Sequence, residues 1–316
     1  MEKALKRPRE SPAMAGFSVL YFDFPVSSAS FASIVEFSVM KLPRFIIITL
    51  LGIAPALLPA QSSEEWSASI LKALDRRQPI PAVGFQSYNA TERQAYEVQK
   101  KVVNKLVEGG DAIVGHKAGL TSDAAQARFD LFEPVAGTLL KSHMKNTASF
   151  VSRRQFKNMV VEMEIGFELK LSIRSEPRDV EELKSKVRNV VPIIELPNVH
   201  FTPEDQISGV DIIASNVAAA TVVKGRAKPL GAFELNEIES ELTRDGEVIA
   251  TGLGADAMGD QWEALLWLVR NRLREGFEVK RNDLLITGAL GQVVAAESGR
   301  YVADFGKLGR VTFTLR

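Results

Sequence analysis

Glu162 and Glu164 stand two residues apart in Val160-Val161-Glu162-Met163-Glu164-Ile165-Gly166-Phe167-Glu168-Leu169, an apolar, β-branched run that reads as a strand. Side chains alternate along a strand, so the two carboxylates share one face and Val161, Met163, Ile165, Phe167 and Leu169 take the other. Such a pair repels unless the face is solvated or a cation lies between the charges. Alone, Glu-x-Glu reads as a wet face. Glu195 supplies a third carboxylate. It ends Val190-Val191-Pro192-Ile193-Ile194, a run apolar enough for a buried strand, so its carboxylate is expected where a sheet meets a cavity. Three carboxylate oxygens on an octahedral hard cation leave positions for a bidentate 2-oxo acid, or for a carboxylate and water, which makes a Lewis-acid site.

Lys117 is the fourth candidate. It lies in Gly115-His116-Lys117-Ala118-Gly119-Leu120-Thr121-Ser122, after the apolar Ala112-Ile113-Val114. A surface lysine is the ordinary reading. At the lip of a pocket beside a metal and an anionic substrate, its amine could instead serve an oxyanion or move a proton. His116, next along an extended segment, must point elsewhere and reads as structural or rim.

The 316 residues agree with such a site. There are 39 Lys+Arg against 39 Asp+Glu, which removes the electrostatic footprint of a nucleic-acid binder. The chain has no Cys, which excludes disulfides, thiolate metal sites and a Cys nucleophile. His116, His143 and His200 do not form a His-rich metal site, so any metal is held by oxygen, pointing to Mg²⁺ or Mn²⁺.

The positioning elements read as helices first and mixed strands after, which predicts an α+β fold. Helices are expected at Glu64–Asp75 and Glu92–Glu108, the second with a Thr91/Gln94 capping box and Ala95, Val98, Val102 and Leu106 at helical spacing. Gln78-Pro79-Ile80-Pro81 between them reads as a linker. Strands are expected at Val160–Leu169, Arg188–Leu196, Asp211–Val223, Phe233–Leu242 and Glu247–Thr251, the last two flanking the hairpin signal Asp245-Gly246. A helix at Asp260–Arg274 ends at Gly276, and Asp283–Thr287, Gly299–Asp304 and Arg310–Leu315 close the chain as strands.

Upstream, Met40-Lys41-Leu42-Pro43-Arg44, the apolar stretch from Phe45 to Leu58 and Ala60 before a polar segment have the layout of a secretory signal, too short to span a bilayer. This predicts translation from Met40 and a periplasmic or secreted product. A cytoplasmic protein with an uncleaved anchor or tail is the alternative. The expected organisation is residues 1–60 as extension and signal, 61–110 as a helical region and 111–316 as the catalytic domain.

From Ala95-Tyr96-Glu97-Val98-Gln99 to the C-terminus the chain resembles the 2-keto-4-pentenoate hydratase and 4-oxalocrotonate decarboxylase group of the fumarylacetoacetate hydrolase superfamily. The resemblance runs through residues 115–122, Glu133-Pro134-Val135-Ala136-Gly137, Glu162-x-Glu164, Val191-Pro192-Ile193-Ile194-Glu195, Ser215-Asn216, Leu285-Ile286-Thr287-Gly288 and Asp304-Phe305-Gly306-Lys307-Leu308-Gly309. It implies a mixed β-roll with an N-terminal helical part, a homo-oligomer, and Mg²⁺ or Mn²⁺ on Glu162, Glu164 and Glu195. It also implies Lys117 as acid/base or oxyanion group, with Leu120, through its backbone, and Thr287 touching substrate. Val135 stands where the hydratases usually carry an acid and the decarboxylases tend to be apolar, which favours the latter, and Ala218, Ala219 and Ala289 stand where hydroxyl residues are common.

The reading is a divalent-metal-dependent lyase acting on a small 2-oxo or 2-hydroxydienoic acid, hydratase-like, with a 4-oxalocrotonate-type decarboxylase as alternative. Both reactions pass through the same enolate, so the metal site does not separate them. A non-catalytic periplasmic homologue that binds metal and oxo acid is a further alternative. A C–C bond hydrolase is weakened by the lack of a His/Glu pair around the three histidines.

Overall fold

The computed structural model describes residues 63–84, 89–231 and 233–316, which fall in one compact unit. The expected signal segment and the start at Met40 lie outside the described residues. No helix among the described residues is long and apolar enough to cross a membrane.

Two helices lead. α1 (Ser63–Arg76) buries Trp66, Ile70 and Ala73, and α2 (Glu92–Glu108) starts at the expected capping box, with the Gln94 N–H on Thr91 Oγ1 and the Thr91 N–H on Gln94 Oε1. Ala95, Val98 and Val102 are fully buried, as their spacing requires, and Leu106 packs at the margin. The expected linker between the helices contains a short strand, β1 (Ile80–Pro81).

The remaining strands, in chain order, are β2 (Ile113–Gly119), β3 (Val135–Leu140), β4 (Met144–Asn146), β5 (Ser149–Val151), β6 (Val160–Leu169), β7 (Val187–Leu196), β8 (Phe201–Thr202), β9 (Thr221–Lys224) and β10 (Lys228–Pro229), then β11 (Glu239–Arg244), β12 (Glu247–Leu253), β13 (Leu284–Ala289), β14 (Val294–Ala295), β15 (Gly299–Asp304) and β16 (Arg310–Leu315). A large mixed sheet runs β3-β2-β13-β6-β7-β9-β4, with β10 on β7 and β14 on β6. A second sheet runs β12-β11-β15-β16-β5, and β1 pairs with β8. Short helices α3 (Asp123–Arg128), α4 (Val180–Lys184) and α5 (Gly209–Ala214) punctuate the strands. A longer one, α6 (Gln261–Arg274), is capped by Asp260, which accepts the Trp262 and Glu263 N–H groups.

The core lies between the sheets and α6. Val161, Met163, Ile165, Phe167 and Leu169 of β6 all enter it, as the alternation predicts, each contributing about 1.5–3 kcal/mol by burial. The predicted α+β class holds. Two expected strands differ. Residues 209–214 form α5 because Asp211 at its third position accepts from the Ser208 N–H and hydroxyl, a helix start that outweighs the β-branched run. The strand there is confined to Thr221–Lys224. Phe233–Leu242 becomes strand only from Glu239, because Asn236 turns aside to donate to Asp260 and accept the Gln261 N–H at the start of α6.

β3, at the edge of the large sheet, has its free backbone groups taken by side chains. Tyr96 Oη accepts the Ala136 N–H and Gln99 Nε2 donates to the Ala136 carbonyl. Asn216 accepts the Thr138 N–H at 2.7 Å and donates to the Thr138 carbonyl at 2.9 Å. An edge so covered cannot accept another strand.

Candidate active site

The register of β6 on β7 sets Glu162 opposite Glu195, with Glu164 opposite Ile193. One oxygen from each of Glu162, Glu164 and Glu195 lies within 4.8 Å of the others. Glu164 and Glu195 are fully buried and Glu162 is half-buried at the cavity wall. The Glu-face of β6 is therefore not a wet face: it turns into the molecule.

Three carboxylates in one buried spot must be relieved. Burial and then Glu195 push Glu162 up to about 7, and burial with the two neighbouring carboxylates raises Glu164 well above the usual range. Glu164 Oε1 and Glu195 Oε2 have no hydrogen-bond partner, an expensive state for buried carboxylate oxygens. A divalent cation fits this donor set: it would neutralise the repulsion and fill the unpartnered oxygens. Glu164 is aimed by its other oxygen, which accepts the Gly288 N–H at 2.8 Å. That contact depends on an irregularity of β13 between Ile286 and Ala289, where Gly288 has φ +105° and lies so close to Thr121 that a Cβ would stand 2.4 Å from its hydroxyl.

Lys117 reaches the cluster from β2. Only 2% exposed, it sits 2.7 Å from Glu195 Oε1 and donates to the Val217 carbonyl at 3.1 Å. Burial alone would favour the neutral amine; Glu195, Glu162 and Glu164 outweigh it and raise the lysine above its ordinary value. The Val217 carbonyl is aimed by an unusual turn in which Asn216, Val217 and Ala218 all have φ between +52° and +63°, left-handed values costly for a β-branched residue. The Asn216 side chain, clamped to Thr138, holds that turn in place. Gly137 lets it approach: a Cβ there would lie 2.9 Å from the Asn216 carbonyl and 3.2 Å from Lys117 Cγ.

Over Lys117 and Glu162 opens a cavity of 1130 Å³. Leu120 lines it with φ +53°, so its backbone is held in a strained form at the wall. Thr287 is fully buried on β13; its hydroxyl lies 3.0 Å from the Ile165 carbonyl and 2.6 Å from Gln261 Oε1, so it braces the strand that presents Gly288. Val135 is outside the cavity, buried in the apolar cluster beneath α2, where it bears on packing. Ala218 and Ala289 do line the cavity; Ala219 does not.

His116 is structural: fully buried, edge-on to Phe277 and 3.0 Å from the Glu278 carbonyl, with burial holding it down to about 3. None of the three histidines lines the cavity. Gly288, Val217 and Asn216, which position Glu164 and Lys117, are not revealed by the spacing of charged residues, although Asn216 and Gly288 lie in segments that carry the family resemblance.

No protein-family profile matches the chain. Over 241 residues, 76% of this chain and 89% of the relative, it is 30% identical to the 2-keto-4-pentenoate hydratase of Paraburkholderia xenovorans LB400. Over 224 residues, 70% of this chain and 85% of the relative, it is 31% identical to the protein of the same name from Burkholderia vietnamiensis G4. Among solved structures, 4-oxalocrotonate decarboxylase from Pseudomonas putida G7, complexed with magnesium and adipate, shares the fold with a TM-score of 0.76 at 21% identity, over 80% of this chain and 97% of that one.

Proposed function

Because this chain belongs to the 2-keto-4-pentenoate hydratase family, we propose that it is a divalent-metal-dependent hydro-lyase that adds water to a small 2-oxo or 2-hydroxydienoic acid. The observation that carries this reading is the buried trio Glu162, Glu164 and Glu195 with Lys117 on one of them, under an open cavity. Glu162, Glu164 and Glu195 would hold Mg²⁺ or Mn²⁺, and the ion would supply a Lewis acid for the oxygens of a 2-oxo acid.

The chain's own groups do the rest. Lys117 carries a proton at Nζ, held charged by the carboxylates and aimed by the Val217 carbonyl. Hydration of the conjugated 2-oxo chain puts the hydroxyl of water on the carbon two bonds from the C2 carbonyl. The remaining proton goes to the carbon between them, and Lys117 is the group placed to move it. Leu120 offers its strained backbone at the cavity wall to orient the substrate.

The test is calorimetric titration of oxalate, a stand-in for the enolate of a 2-oxo acid, with and without Mg²⁺, on the wild type and Glu164→Gln, followed by hydration assays. Mg²⁺-dependent binding lost in the variant is the expected result. Metal-independent binding, or none, overturns the reading.

A further inference from the structure

Lys117 is the proton-moving group of the hydratase reading, on which this inference rests, and two stretches of backbone decide where its amine stands. β3 pairs with β2 so that Lys117 lies opposite Gly137, and Ala118 opposite Ala136. The end of α5 leads into the left-handed turn 216–218, which brings the Val217 carbonyl to the amine at 3.1 Å. The fit of amine to carbonyl therefore depends on how far β3 stands from the end of α5. No backbone hydrogen bond joins these two among the described residues. Side chains join them instead.

Asn216, inside the turn, grips Thr138. Gln99 makes the second tie from a different element, α2. Its Nε2 donates to the Ala136 carbonyl at 2.9 Å and to the Ile213 carbonyl at 2.8 Å, so one amide spans β3 and α5. The Ile213 carbonyl also accepts the Asn216 N–H at 3.1 Å, so Gln99 holds the group on which the turn begins. Tyr96, three residues earlier on α2, accepts the Ala136 N–H, and the helix thus grips both backbone groups of that residue. The direction of the amide is fixed by Arg272, which has only donors to offer: its Nη1 lies 2.8 Å from Gln99 Oε1, leaving both N–H groups for the carbonyls. Gln99, Arg272, Ala136 and Ile213 are all fully buried, so water neither screens nor replaces these bonds. The metal ligands are set by other means, the pairing of β6 with β7 and the Gly288 N–H. We propose that Gln99 is a positioning residue for Lys117: by holding Ala136 and Ile213 on one amide it sets the Val217 carbonyl against the ammonium, which makes α2 part of the catalytic machinery.

The experiment is a double-mutant cycle on kcat of the full Mg²⁺-loaded chain, with 2-hydroxypenta-2,4-dienoate as substrate. A reacting group displaced by about 1 Å can lose about a hundredfold in rate, and Gln99→Met, similar in length but without donors, is expected to lower kcat about 30-fold. KM and Mg²⁺-dependent oxalate binding stay within about threefold, because the metal ligands are held elsewhere. In the Lys117→Met background there is no amine to misplace, and the same substitution lowers the residual kcat by less than about threefold. Gln99→Glu keeps the Arg272 contact but turns an acceptor toward two carbonyls; it shows the same pattern and serves if Gln99→Met fails to fold. Arg272→Met, which leaves both Gln99 donors in place, is the control for lost stability. Equal losses from the Gln99 substitution in both backgrounds, a loss no larger than that of Arg272→Met, or an unchanged kcat in a folded Gln99 variant overturns the proposal while Mg²⁺-dependent oxalate binding persists. Absence of that oxalate binding in the wild type overturns the hydratase reading itself, and this inference with it.

Discussion

Lys117 and Arg272 are both sunk in the protein interior, and their surroundings are opposite. Lys117 faces three carboxylates and a single carbonyl. Arg272, on α6 and fully buried, makes no ion pair among the described residues: its guanidinium donates to Gln99 Oε1 and Asn271 Oδ1 and lies over the rings of Tyr96 and Phe277 at 5.0 and 4.7 Å. Burial pulls Arg272 down to about 10, still charged at neutral pH. The neutral cage is satisfied as it stands, because each guanidinium nitrogen has an acceptor and the charge lies over two π faces. The carboxylate cage is left with orphaned oxygens and raised acids, so it is complete only with a further charge. A buried cation in a neutral cage is a strut; one in an anionic cage belongs to a site that takes a ligand.

The contrast can be broken first at turnover. Lys117→Met is expected to lower kcat of the Mg²⁺-loaded enzyme by about 10³-fold, the scale of a lost general acid or base, and Arg272→Met by less than tenfold; equal losses in steady-state assays would erase the distinction. Stability runs the other way. Arg272→Met strips the donors from Gln99 and Asn271 and should cost about 3 kcal/mol in denaturant unfolding, a loss that Mg²⁺ does not repair.

His116, kept neutral by burial and then by the nearby charge of Arg272, extends the comparison to pH. Unfolded, it takes a proton near 6.5; folded, only near 3. Its contribution is therefore full above pH 6.5 and lost as pH falls through that value, by about 2 kcal/mol at pH 5. Urea unfolding from pH 7 to 5 should show a slope that His116→Asn flattens.

At the anionic cage the pH effect falls on the metal. With Glu162 at about 7 and Glu164 raised beside it, Mg²⁺ must displace protons below neutrality, so its affinity should drop by at least about tenfold per pH unit there, with proton release visible by calorimetry in two buffers. The smallest effect is expected of Thr287→Val, about 1 kcal/mol of stability with little change in KM, since its hydroxyl braces the strand from outside the cavity. A large rise in KM would show instead that the Thr287 hydroxyl serves the substrate.

Much of the architecture was legible because local signals agreed with one another. The alternation of Val160–Leu169, the Thr91/Gln94 box and the Asp245-Gly246 turn each fixed an element whose packing asks for the same thing. Residues 211–223 were misread because β-branched composition spoke for a strand while Asp211, three residues after Ser208, started a helix. The juxtaposition of Glu162, Glu164 and Glu195 was anticipated from strand alternation and a buried strand end. Whether the face was wet or buried was not, since that depends on β7 and β13 flanking β6. The turn at Asn216–Ala218 and the brace at Thr287 come from contacts between segments far apart in the chain, which no spacing rule reports.

The strand β13 sits in the middle of the large sheet, between β2 with Lys117 and β6 with Glu162 and Glu164, although it is made near the end of the chain. During synthesis the two halves of the site therefore remain apart, each with an open strand edge, until residues 284–289 emerge. Folding of this domain is bound to be non-local and slow to commit, and nascent chains stopped short of Leu284 would carry two exposed edges prone to self-association. The enzyme comes into being all at once, on closure of its last central strand.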